Sequence, residues 1–267
     1  MNTIRKIAVI GGDRRSLICA ELFSDAGFEC AVYGFEKEPP KKAVRAAALS
    51  DALSECSAAV LPLPVADGEN VFAPFAEKPF SLASLRGALP KETLLLAGNP
   101  TDEVIKLLAG HTVANYAKDE GFMLRNRIPT AEGALRLALE HGGKTLYGAS
   151  VLVCGMGRIG RYLASALSSL GAHVTVSVRK REDRIKAEQT GFTVILTEKI
   201  ADCPTAFDFI FNTVPYPILS VRVLKKLRGA PILIDLASKP YGAGFAERRK
   251  PKIFRFRIDR HSSFYLL

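Results

Sequence analysis

Short apolar runs rich in β-branched residues alternate with segments of helical periodicity along most of the chain. In the first part they predict strands at 6–10, 29–33, 58–61 and 93–97, and a helix over 15–26 that Gly27 ends. Strands that read as continuous apolar runs and alternate with helices are typical of parallel α/β sheets. Residues 1–125 are therefore predicted to form a small doubly wound α/β domain.

The same alternation returns more regularly in the second part of the chain. Predicted strands span 150–154, 173–178, 208–212 and 231–236, and predicted helices span 158–170, 181–189 and 218–227. Between the two parts, Pro129 at a helix start and Gly142-Gly143 at its end predict a linker helix within 126–143. The fold class is thus α/β, with two doubly wound parallel-sheet domains joined by a linker helix.

A glycine motif connects the first strand and first helix of the second series. The residues predicted to line a bound pyrophosphate are Gly155, Gly157, Arg158, Ile159 and Gly160. The first glycine permits a tight turn, the second lets the backbone approach the anion, and the third lets the helix pack closely on the strand. Residues 144–241 are therefore predicted to be the NAD(P)-binding Rossmann domain. The doubly wound pattern of the first domain predicts that it is Rossmann-like as well.

The end of the second strand in this series bears on the choice between NADP and NAD. An Asp or Glu there would bind the ribose 2′-hydroxyl of NAD, but the chain continues with Arg179-Lys180-Arg181. A cluster of cations suits a 2′-phosphate, and Arg158 can contribute to it. NADP is therefore the predicted cofactor and NAD the alternative; an exposed basic helix start would also explain the cluster.

Ligands of open parallel sheets bind beyond the carboxyl ends of the strands. The loop residues predicted on this ground to contact the cofactor are Asn212, Thr213, Val214, Pro215 and Ser238. Asn212 and Thr213 could equally be a simple cap of the strand end.

The composition narrows the class of protein. The net charge of +10 comes largely from the tail, where seven basic residues between 248 and 260 face one acid; no nucleic-acid motif accompanies them, so a nucleic-acid partner is not expected. No apolar run is long enough to span a membrane, and the start of the chain does not read as a signal peptide. The five cysteines lack metal-site spacing, so we expect no metal and a cytoplasmic location.

Five segments taken together resemble the A subunits of dipicolinate synthase. They are KIAVIGGDRR, NRIPTAEGAL, VLVCGMGRIG, FIFNTVP and LIDLASKP, and the resemblance runs from about Lys6 to Tyr241. It implies NAD(P)-dependent oxidation of dihydrodipicolinate, or of its hydroxylated precursor, to dipicolinate in the mother cell of a sporulating bacterium. It also implies a flavoprotein-like B subunit as partner, a small dicarboxylate substrate and an oligomeric assembly. The architecture is similar to that of D-2-hydroxyacid and alanine dehydrogenases as well.

Within this resemblance, hydride transfer to a nicotinamide requires a positioned substrate and a route for a proton. The candidates for proton transfer are Lys239, Glu132 and Thr130, and the candidates for binding the dicarboxylate are Arg14, Arg15, Asn126 and Arg127. Arginine can clamp carboxylates bidentately, although surface charge on a helical turn explains Arg14 and Arg15 equally well. Glu132 could instead be a first-turn acid favoured by the helix dipole.

After Tyr241 the resemblance ends, and residues 242–267 form an atypical basic tail. We expect the last Rossmann strand and a helix returning to the first domain to be missing, as after a shifted reading frame. One alternative function is a 2-hydroxy- or 2-amino-acid dehydrogenase, although the only late histidine is His261. The other is a nucleotide-binding subunit without catalytic activity.

Overall fold

The computed structural model describes residues 4–237 and 253–255. The chain divides into two compact units, the first running to Met123 and the second beginning at Leu124. Each unit is built on a six-stranded parallel sheet.

The first unit alternates strands and helices as its apolar runs predict. Its strands are β1 (Lys6–Ile10), β2 (Glu29–Tyr33), β3 (Val44–Arg45), β4 (Ala58–Val60), β5 (Ala66–Asp67), β6 (Asn70–Val71), β7 (Leu94–Ala97) and β8 (Val113–Asn115). Its helices are α1 (Arg14–Asp25), α2 (Leu49–Leu53), α3 (Leu82–Ala88) and α4 (Asp102–Leu107), followed by a 3₁₀ turn at Tyr116–Lys118.

The strand order of the first sheet is β3-β2-β1-β4-β7-β8, while β5 and β6 form a separate antiparallel ribbon. The chain thus winds outward from β1 in one direction and from β4 in the other, which is the doubly wound arrangement. Both faces of the sheet are covered: Ile7 and Val9 enter one apolar cluster, and Ala8 and Ile10 enter the other. Burial on two faces explains why β1 is apolar at every position after Lys6.

The second unit repeats this plan. Helix α5 (Glu120–Gly142) leads into β9 (Ser150–Cys154), β10 (His173–Val178), β11 (Thr193–Leu196), β12 (Phe209–Asn212), β13 (Ile232–Asp235) and β14 (Ile253–Arg255). The helices that alternate with these strands are α6 (Arg158–Ser169), α7 (Arg181–Glu188) and α8 (Val221–Lys226), with a 3₁₀ turn at Thr197–Asp202.

The order of the second sheet, β11-β10-β9-β12-β13-β14, reproduces that of the first. Its direction of winding reverses between β9 and β12, and such a switch point is where ligands bind in open α/β sheets. The second half of α5 packs on this sheet through Ala131, Ala134 and Ala138, which are fully buried. Two Rossmann-like sheets and the helix α5 confirm the predicted fold class.

Two sequence-based expectations are wrong. Helix α5 does not start near Pro129 but nine residues earlier, and Pro129 lies inside it. Proline lacks the N–H that would donate to the carbonyl of Arg125 four residues earlier, yet the helix continues on both sides of it. The hydroxyl of the next residue, Thr130, donates to the carbonyl of Asn126 at 2.8 Å. The last Rossmann strand is also present, because β14 pairs in parallel with β13. The rest of the tail and the expected loss of a returning helix lie outside the described residues.

Among the residues that the structure describes, no helix is both long and apolar enough to cross a bilayer.

Candidate cofactor-binding site

The turn between β9 and α6 is tightly packed on the face that points toward the rest of the second unit. Gly155 has φ +92°, a conformation that favours glycine. A Cβ added at Gly160 would lie 2.1 Å from the carbonyl oxygen of Gly155 and 3.1 Å from Thr213 Oγ1. The first turn of α6 can therefore approach the loop only because Gly160 has no side chain.

The same turn is open on its other side. Gly157 caps α6 without any side-chain hydrogen bond, and a Cβ added to it would meet nothing within 4 Å. The first N–H groups of a helix lack acceptors inside the helix, and the helix dipole favours negative charge near them. An open glycine cap at the start of a helix fits the pyrophosphate of a dinucleotide.

The corresponding turn in the first unit is filled by the protein itself. The N–H of Gly12 donates to the carbonyl of Phe72 at 2.7 Å, and a Cβ on Gly12 would lie 2.0 Å from Ser16 Oγ. The carboxylate of Asp13 caps α1 and accepts from the backbone N–H of Arg15 at 3.0 Å. An internal carboxylate thus takes the place that an anionic ligand would need, so of these two turns the one before α6 fits a dinucleotide.

The predicted 2′-phosphate site lies where β10 ends. Val178 is buried, whereas Arg179 and Lys180 are exposed, and Lys180 caps α7 without a side-chain bond. On α7 itself, Arg184 pairs with Glu188 at 2.7 Å. The structure therefore places three exposed cations, Arg179, Lys180 and Arg181, at the expected position, and Arg184, already paired, lies further along the helix.

The residues after β12 make a network rather than a set of free donors. Thr213 Oγ1 donates to the carbonyl of Cys154 at 2.8 Å, beneath the glycine turn. Asn212 is fully buried, and its amide holds the backbone of Val214 and the carboxylate of Asp235. Val214 is half-buried and Pro215 is exposed at the carboxyl edge of the sheet.

Burial also raises the pKa of the Cys154 thiol to about 12, so this group beneath the turn is neutral. Within residues 4–237 and 253–255, no group of three or more His, Cys, Asp or Glu side chains could hold a metal ion.

The three candidates for proton transfer are not brought together by the described part of the structure. Thr130 is buried, and its hydroxyl proton is committed to the Asn126 carbonyl. Glu132 is exposed; two residues along a helix correspond to a rotation of about 200°, which takes it to a different face of α5. Ser238, predicted to contact the cofactor, and Lys239, the third proton candidate, lie outside the described residues.

The four candidates for substrate binding divide between the two units. In the first unit, Arg14 pairs with Glu38 through Nε at 2.6 Å, and Arg15 is bidentate to Asp13. Both guanidinium groups therefore have an internal carboxylate partner.

In the second unit, Arg127 lies over the ring of Tyr162 on α6, with its guanidinium carbon 5.5 Å from the ring centroid. The Nε of Arg127 is buried without a hydrogen-bond partner among the described residues. Its neighbour Asn126 is half-buried.

Two residues that bear on the site were not singled out from the sequence. Asp235 is a buried carboxylate at the end of β13, and the signal was a lone acid inside the apolar run Ile232–Leu236. Tyr162, which stacks on Arg127, gives no such signal, because an aromatic residue on an amphipathic helix is ordinary.

Comparisons with known proteins agree with this geometry. Residues 6–117 match the family model of the N-terminal domain of the dipicolinate synthase A subunit. Residues 126–237 match that of the NAD binding domain of D-isomer specific 2-hydroxyacid dehydrogenases.

Single proteins match along nearly the whole chain. The dipicolinate synthase A subunit of Bacillus subtilis (strain 168) is 28% identical over 95% of this chain and 87% of its own length. The crystal structure of the same subunit from Bacillus subtilis superposes with a TM-score of 0.80 at 26% identity, covering 96% of this chain and 89% of that one. The A-subunit structure from Bacillus halodurans gives a TM-score of 0.78 at 25% identity, covering 91% and 85%. The chain is thus similar to dipicolinate synthase A subunits along nearly its whole length, and it is an NAD(P)-dependent oxidoreductase.

Proposed function

We propose that the protein is the oxidising A subunit of a dipicolinate synthase and that NADP is its cofactor. The observation that carries this proposal is the open turn at Gly157, which provides one dinucleotide site, in a chain that matches an A subunit over 95% of its length. The substrate would be dihydrodipicolinate or its hydroxylated precursor, converted in the mother cell of a sporulating bacterium.

The reaction removes a hydride and a proton from the dihydropyridine ring and leaves the aromatic dicarboxylate. When bound, NADP accepts the hydride. The chain's own part is to hold the substrate by its carboxylates and to take up the proton or, for the hydroxylated precursor, to assist loss of water.

We propose Arg14, Arg15, Asn126 and Arg127 for the carboxylates, and Arg127 is the most suitable because its Nε lacks a partner among the described residues. Lys239 and Glu132 are proposed for the proton. Thr130 suits that role less, because its hydroxyl already donates within α5.

The choice of NADP rests on Arg179 and Lys180, which are exposed just past β10 where NAD enzymes place a carboxylate. Calorimetric titration with NADP and NAD tests it directly. We expect tighter binding of NADP, and we expect Arg179→Ala to weaken NADP about tenfold while leaving NAD unchanged. The matched control is Arg184→Ala on α7, the helix that follows Arg179, because its guanidinium is paired with Glu188 and should matter little for either ligand. If wild type binds NADP and NAD with equal affinity, and Arg179→Ala does the same, NADP specificity is rejected.

The name of the relatives implies a further subunit, and we propose a flavoprotein-like B subunit as partner. The assay is NADPH formation from dihydrodipicolinate by the purified chain, alone and with the B subunit. Turnover that depends on NADP and on the dihydropyridine supports the proposal. Dinucleotide binding without turnover, even with the partner, would indicate a non-catalytic nucleotide-binding subunit, and turnover with 2-hydroxy or 2-amino acids would indicate the dehydrogenase alternative.

A further inference from the structure

A row of polar side chains crosses the second sheet inside its core, next to the proposed cofactor site. In the strand register Cys154 lies opposite Asn212, and Asn212 lies opposite Asp235. Asn212 is 0% exposed and Asp235 is 1% exposed. Buried amide and carboxylate groups are costly unless their hydrogen bonds are satisfied, so the partners of these two residues indicate what they are for.

The partners of Asn212 are concentrated on one loop residue. Its Nδ2 donates to the carbonyl of Val214 at 3.1 Å, and its Oδ1 accepts from the N–H of Val214 at 3.2 Å. The same Nδ2 donates to Asp235 Oδ1 at 2.8 Å. Asn212 therefore fixes both backbone polar groups of Val214 and anchors them to the neighbouring strand.

Asp235 extends this link to the next loop. Its Oδ1 also accepts from the N–H of Ala237 at 3.2 Å, and the N–H of Leu236 donates to the carbonyl of Asn212 at 2.8 Å. One side-chain pair thus determines the course of the chain after β12 and after β13. Both strands belong to the half of the sheet beyond the switch point, which in doubly wound dinucleotide folds binds the second mononucleotide.

We propose that Asn212 and Asp235 are positioning residues that hold these two loops against the nicotinamide half of the cofactor. They act through Val214 and Ala237, since their own side chains are too deeply buried to reach a ligand. This inference rests on the proposed function, because it requires that a dinucleotide binds at the turn before α6.

The test compares the whole dinucleotide with its adenosine half. Wild type and variants are titrated with NADPH and with 2′,5′-ADP, or with NADH and ADP if NAD proves to be the cofactor. Asp235→Ala removes the shared acceptor, and Asn212→Ser removes the hold on Val214 but keeps the bond from Asp235 to Ala237. We expect each to raise the Kd for the dinucleotide about tenfold and to leave that for the adenosine half within about twofold.

Two controls accompany these variants. Asp235→Asn keeps an oxygen where Oδ1 accepts both bonds, so it should restore dinucleotide binding to within about threefold of wild type. Ser177→Ala alters another fully buried polar side chain of the sheet, one that lies opposite Cys154 and on neither of the two loops, and should change neither Kd.

Each outcome decides a different question. Weakened dinucleotide binding with unchanged binding of the adenosine half, reversed in Asp235→Asn, supports the positioning role. Unchanged dinucleotide binding in Asp235→Ala and Asn212→Ser, or equal weakening of both ligands in both variants, overturns it. If wild type binds neither dinucleotide, the proposed function itself fails and this inference fails with it.

Discussion

Replacing Gly157 with alanine should separate the stability of the protein from its affinity for the cofactor. Gly157 has φ −71°, which any residue adopts, and its added Cβ would meet nothing within 4 Å. The methyl group therefore costs no overlap in the free protein. It would, however, enter the open space where the pyrophosphate must approach the backbone.

The two effects can be estimated separately. Alanine is a poorer helix cap than glycine but restricts the unfolded chain, and these opposing contributions leave the free energy of unfolding within about 1 kcal/mol of wild type. Displacing the anion would lose at least one charge-assisted hydrogen bond, worth about 2 kcal/mol, which corresponds to about a thirtyfold increase in Kd. At a ligand concentration of about 100 times the wild-type Kd, the stabilisation by cofactor should fall from about 2.7 to about 0.9 kcal/mol.

Urea unfolding with and without NADP measures both quantities on one sample. The informative contrast is Gly160→Ala, whose Cβ would lie 2.1 Å from the Gly155 carbonyl oxygen. It should lose about 2–3 kcal/mol of stability as well as cofactor binding, because backbone must move to accommodate the methyl group. Wild-type affinity in Gly157→Ala would refute the position assigned to the pyrophosphate. A large loss of stability in that variant would refute the description of the turn as open.

Three further predictions concern groups elsewhere in the two units. Asp13→Ala should lower the free energy of unfolding in urea by about 1–2 kcal/mol, because it removes a helix cap and an ion pair. The Kd for NADP should not change, and a higher Kd would contradict the assignment of the cofactor site to the second unit. Partial burial works to raise the pKa of Asp208, but hydrogen bonds from Lys144 and from a backbone N–H outweigh it and lower that pKa. A lowered pKa contributes stability that is present above about pH 4 and is lost as the pH falls. The difference in free energy of unfolding between wild type and Asp208→Asn should therefore be largest near neutral pH and should disappear in acid. A difference that does not depend on pH would show that the ion pair is not its source. Burial raises the pKa of Cys154 to about 12, so its thiol should resist a thiol reagent at about pH 8 in the native protein, whereas the half-exposed Cys203 should be labelled. Mass spectrometry of the labelled peptides measures both, and faster labelling of Cys154 than of Cys203 would contradict the prediction.

The sequence predicted the buried strands well because their residues carry the signal themselves. Strands β1, β2, β9 and β10 lie where their apolar runs begin and end, since burial on both faces makes most of their positions apolar. The edge strands β3 and β11 were missed, because they are short or half exposed and look like loop. Helix α5 was predicted too short because Pro129 usually marks a helix start, and nothing in the local sequence shows that this helix continues through a proline.

For the candidate site, the limits of sequence reasoning were set by distance along the chain. The spacing of the glycines placed the turn before α6, because strand, turn and helix are local. The partner of Asn212 is 23 positions away, so its amide was grouped with possible cofactor contacts although it is committed to Asp235. The carboxylates next to Arg14 and Arg15 were equally invisible as partners, because Glu38 is reached only through the fold and Asp13 only through the turn of α1.

The two glycine turns also differ in electrostatic sign. Asp13 carries a negative charge where the first unit begins its helix, whereas Gly157 carries none. The negative charge that the start of this helix favours is thus supplied by the protein itself, and the guanidinium of Arg15 balances it. The helix start of the first unit is therefore already occupied by a carboxylate, and a saturating titration should end at one dinucleotide per chain although the chain contains two Rossmann-like sheets.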